Sequence, residues 1–174
     1  MDATHLHLIL THFPIVGTII GAGILAYGIY SGNEGVKKTA LSIFVLMALT
    51  SVVVYLTGEQ AEETVEHLTG VSERAIENHE ELAEKAIWLM AVLGALSLIN
   101  LFAITRKLSF TKNITLITLV MSLATFGLFA KVGNLGGQIR HTEIRSNHTN
   151  MDKAGIEKDN EAYEHEEHDD DDDD

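Results

Sequence analysis

Four apolar runs, about His7 to Tyr30, Lys38 to Thr57, Ala86 to Thr105 and Asn113 to Ala130, constrain this chain more than any other feature. Each approaches the roughly 20 residues that span about 30 Å of hydrocarbon at 1.5 Å per helical residue. Their interiors hold no Asp, Glu, Lys or Arg, whereas a helix on the surface of a water-soluble protein shows a polar stripe. Four such runs in succession predict an all-α, integral membrane four-helix bundle. The first run follows Asp2 and has no basic segment before it, so it reads as a span rather than a cleaved signal peptide.

The predicted organisation is a bundle over residues 1–150 followed by an acidic tail, 151–174. The net charge of −13 is concentrated in that tail, where thirteen acidic residues stand against two lysines, so the body is nearly neutral. The tail ends in His165, His168 and Asp169 to Asp174. It cannot bury a core and is expected to be disordered and solvated, with cation gathering or docking to a basic partner as the other readings. No basic stripe is present to neutralise phosphates, which argues against nucleic-acid binding. The chain has no cysteine, which removes disulfides, thiolate metal sites, iron–sulfur ligation and covalent c-type haem attachment.

Lys37 and Lys38 follow the first run, and Arg106, Lys107 and Lys112 follow the third. Positively charged short loops stay cytoplasmic. Both termini and the long connection Gly58 to Lys85 are then expected on the periplasmic side of a bacterial inner membrane. Lys131, Arg140 and Arg145 after the fourth run pull the other way. The connection has helix-forming composition, Gly58 to His67 and again from Glu73, with Gly70 suited to a stop and Ser72 to an N-cap. The second, third and fourth helices are therefore expected to project beyond the bilayer at that end. Gly17, Gly21 and Gly28 lie near one face of the first helix, as close helix packing requires.

All nine histidines avoid the cytoplasmic loops and the inner halves of the spans. An ionisable group at a membrane helix is costly, which makes His5, His7 and His12 at the mouth of the first span candidates for function. At 1.5 Å per residue, His7, His12, His79 and His141 from helices one, three and four fall close enough in height to form one site, with His67 at about 15 Å above the hydrocarbon edge. His5 and His12 share a helix face, whereas His7 is turned from His12 by roughly 140°. One of that pair is then a ligand while the other serves separately or donates to it. Glu63 and His67, four apart, form one metal-facing pair, but no Glu-x-x-His pair of the di-iron bundle type occurs in the connection. Interfacial hydrogen bonding is the plain reading for His5 and His67, and solvation for His148. Zinc-protease, phosphate-loop and nucleophile-elbow motifs do not occur.

Several short motifs together resemble a bacterial family of four-helix inner-membrane proteins described as a domain of unknown function with a His-Pro-x-x-x-His-Phe-Pro opening. They are His7-x4-His12-Phe13-Pro14-Ile15, Leu56-Thr57-Gly58, His79-Glu80 and Gly133-x-Leu135-Gly136-Gly137-x-Ile139. The resemblance covers about residues 5 to 145. It departs at Leu8, where proline is common, and at Arg140-His141, where an aromatic often follows the glycines. Family members are sometimes associated with Rieske-type or other redox proteins, which implies a b-type haem or an electron-transfer role.

The leading expectation is a membrane-anchored b-type haem electron carrier, an accessory protein rather than a catalyst. Neutral imidazoles from two facing helices fill both axial positions, and glycines make room for the macrocycle. His12 or His7 would pair with His79 or His141. A second expectation is zinc or copper binding by His7, His12, His67, His79 and His141 with Glu63. A third is a cofactor-free structural subunit of a respiratory or transport assembly.

Overall fold

The computed structural model describes residues 3–66 and 73–140, which form four helices: α1 (Ala3–Tyr30), α2 (Glu34–Glu66), α3 (Glu73–Thr105) and α4 (Thr111–Arg140). The expected stop at Gly70, the cap at Ser72, His67, His141, His148 and the tail from 151 lie outside the described residues, as does the side chain of Glu63. The helices pack in a ring, α1 against α2, α2 against α3, α3 against α4 and α4 against α1. With short connections this is an up-down-up-down bundle. All four are long and apolar enough to cross a membrane, over His5–Tyr30, Glu34–Gly58, Glu73–Thr105 and Thr111–Ile139. The chain is an all-α, multi-pass membrane protein.

The turns after α1 and α3 are built from local chemistry. After α1, Gly32 takes φ +68° and its N–H reaches the Ile29 carbonyl, a left-handed stop that glycine accepts without strain. Asn33 then caps α2, its Oδ1 accepting from the N–H groups of Gly35 (2.9 Å) and Val36 (3.2 Å). After α3 the left-handed position is held by Lys107, φ 52°. The N–H of Leu108 bonds Ala103 and that of Lys107 bonds Ile104, the paired pattern of a Schellman stop.

Pro14 lies inside α1, which continues unbroken past it. Its missing N–H costs one intrahelical bond. α4 likewise continues through Gly136 and Gly137 to Arg140, so the paired glycines do not end it.

The interior is close-packed around Leu25, Leu41, Phe44, Met90 and Leu93, all fully buried. Gly17 and Gly21 of α1 stand against Met47 and Phe44 of α2, and Gly94 of α3 against Ala48, so backbones approach where side chains would collide. The large apolar side chains Leu8, Phe13, Leu49, Trp88, Phe102 and Val120 face outward instead, as lipid rather than water requires. Hydroxyls go inward: Thr18, Ser51, Ser97, Thr118 and Thr125 are buried. Each donates to a carbonyl one turn back on its own helix, which satisfies it without a partner across the bundle. Asn100 differs. Its Nδ2 donates to Thr118 Oγ1 (3.3 Å) and its Oδ1 accepts from Thr115 Oγ1 (3.1 Å), tying α3 to α4.

Candidate cofactor-binding site

His7 and His79 lie at the same end of the bundle, remote from those turns. His7, on the second turn of α1, leans on α2: its Nδ1 lies 3.0 Å from the carbonyl oxygen of Val54 and 3.4 Å from Thr57 Oγ1. His79, on the second turn of α3, leans on α4 in the same way, with Nδ1 3.1 Å from the carbonyl oxygen of Val132. A carbonyl oxygen only accepts, so in both rings Nδ1 carries the proton. Each neutral ring is thereby left with its lone pair on Nε2. This tautomer is the one that a main-chain carbonyl sets in metal-ligating histidines.

Glycine makes both bonds possible. In a helix, the side chain at i+4 lies over the carbonyl of residue i. Gly58 is four residues past Val54, and Gly136 four past Val132. A Cβ at Gly58 would stand 3.2 Å from His7 Cε1, and one at Gly136 would stand 3.1 Å from His79 Cε1. Both rings therefore sit in notches that a side chain would fill. The two imidazoles are half-buried.

The other predicted residues are placed differently. His12 is exposed on the outside of α1, and its Nδ1 donates to the Leu8 carbonyl of its own helix at 3.0 Å. His5 is also exposed. His67, His141 and the Glu63 side chain lie outside the described residues. Among the described residues, no three His, Cys, Asp or Glu side chains form a metal-holding group. The carbonyls of Val54 and Val132 were not anticipated. Their only signature is the Val-x3-Gly spacing that recurs at the ends of α2 and α4.

The chain matches no family model, no curated protein and no solved structure.

Proposed function

We propose that this membrane bundle is a b-type haem electron carrier, with His7 and His79 as the axial ligands. One observation carries the reading: two imidazoles from different helices, at the same end of the bundle, each have Nδ1–H held by a neighbouring backbone carbonyl, which leaves Nε2 as the ligating atom. A tetrapyrrole iron brings four ligands of its own and asks the protein for two, whereas tetrahedral zinc asks for three or four. Two donors are what the described residues bring together here.

Bound haem would supply a one-electron couple. The chain's own part is to hold the rings: the carbonyls of Val54 and Val132 fix ring orientation and raise the basicity of Nε2. Gly58 and Gly136 keep the notches open. The lysines and arginines of the short turns support a cytoplasmic location for them, which puts the histidines at the periplasmic face of a bacterial inner membrane. The resemblance of the opening motif adds a Rieske-type or other redox protein, or a respiratory complex, as the expected partner.

The test is the absorption spectrum of the protein purified in detergent. A Soret band that shifts on dithionite reduction, and that is weakened and altered in His79→Ala, is the expected result. Colourless protein carrying stoichiometric zinc or copper would replace this reading with the metal-binding one. Colourless, metal-free protein would leave a structural subunit.

A further inference from the structure

The two halves of the site are built on one plan, and the plan runs through the whole bundle. His7 and His79 are 72 residues apart, and Val54 and Val132 are 78 apart. Aligning α1 on α3 at the histidines brings the buried positions into register: Pro14 with Ala86, Thr18 with Met90, Gly21 with Leu93, Ala22 with Gly94, Leu25 with Ser97 and Gly28 with Asn100. From His7 to Tyr30, every buried position of either helix has a buried counterpart. Aligning α2 on α4 at the two valines pairs Ala40 with Thr118, Phe44 with Ser122, Met47 with Thr125 and Ser51 with Phe129. Three positions differ: the buried Leu41 and Ala61 fall on the half-buried Leu119 and Ile139, and the half-buried Lys37 falls on the buried Thr115.

A seven-residue stripe is common to any pair of bundle helices. What such a stripe does not require is the same chemistry in the same phase. Here a histidine stands seven residues before the first position of the shared buried stripe in both odd helices, Pro14 and Ala86. A Val-x3-Gly pair begins three residues after the last buried position of each even helix's shared stripe. Both histidines use Nδ1 on that valine's carbonyl and pack against that glycine. The ring of neighbours has the matching symmetry, because exchanging α1 with α3 and α2 with α4 maps every packed pair onto another.

We infer that the chain is a duplicated helical hairpin with a pseudo-twofold axis along the bundle, and that His7 and His79 are equivalent half-sites gripping one ligand across that axis. Two equivalent Nε2 donors suit a single metal-centred group that would take one nitrogen ligand from each hairpin, rather than one group in each. The identity of that group as haem rests on the function proposed above. The pairing of the half-sites does not.

Two measurements on the full chain separate these statements. The chain has no cysteine, so His7→Cys with His79→Cys provides a unique thiol pair. A short bifunctional maleimide should cross-link it within one chain, while His12→Cys with His79→Cys stays unlinked. Titration with haemin should then saturate at one per chain. His7→Ala and His79→Ala should each weaken uptake by at least about tenfold, to the same extent within about threefold, and each should convert a six-coordinate spectrum to a five-coordinate one. Failure of the 7/79 pair to link overturns the inference. So do two haems per chain, or a loss confined to one of the two histidines. Cross-linking without any haemin uptake by the unaltered chain upholds the paired site and overturns only its assignment to haem.

Discussion

A methyl group at position 136 would come within 3.1 Å of Cε1 of His79. The glycine there is a constraint on the ring, not on the helix, because α4 runs straight through it. Ordinary helix energetics would favour alanine at Gly136 by about 1 kcal/mol. Gly136→Ala and Gly58→Ala are therefore expected to leave thermal stability unchanged or slightly raised. Both should displace the imidazole from its carbonyl and weaken haemin binding about tenfold or more, as loss of a ligand's hydrogen-bonding partner does. Stability and binding moving in opposite directions is the outcome to look for, by thermal melting and spectral titration of the same samples.

His12 provides the contrast with His7. It is exposed and bonded only to its own helix, so His12→Ala should bind haemin within about threefold of the unaltered chain, the size expected where no ligand bond is lost. Equal losses from His7→Ala and His12→Ala, scored by Soret absorbance, would show that α1 is rotated or unwound when the site is loaded.

Lys107 holds a left-handed conformation at φ 52°, which costs a side-chain-bearing residue about 1 kcal/mol relative to glycine. Lys107→Gly should raise the unfolding free energy by roughly that amount, read from denaturant unfolding in mixed micelles. A fall in stability would mean that the lysine head group contributes more at the membrane surface than the backbone strain costs.

Asn100 joins α3 to α4 through Thr115 and Thr118. Its replacement by alanine leaves both hydroxyls with carbonyl acceptors on their own helix, so no buried donor is orphaned. The expected loss is about 1 kcal/mol, in line with interhelical hydrogen bonds in membranes. A loss several times larger would show that packing at the fully buried Asn100, rather than its hydrogen bonds, dominates.

The four spans, and the extension of α2 to Glu66 and of α3 back to Glu73, were legible in the chain because length, missing charge and helix-forming composition are sufficient signals. The placement of His7 and His79 at one end was legible too, but not that His7 turns onto α2 while His12 is exposed. α1 is apolar all round, so it carries no polar face to show which side turns inward. The bonds to Val54 and Val132 were hidden because a backbone acceptor has no letter of its own; only the glycines four residues on betray it. The repeat was hidden because volume is exchanged between partner helices. One half sets Gly21 against Phe44, and the equivalent positions are Leu93 and Ser122, so aligned residues look unrelated while the filled space is similar.

The Asn100 tie sits 21 residues beyond His79, about 31 Å along the helix. It fixes α3 to α4 at the far end of the bundle, so at the near end the spacing of the same two helices is left to the His79–Val132 contact.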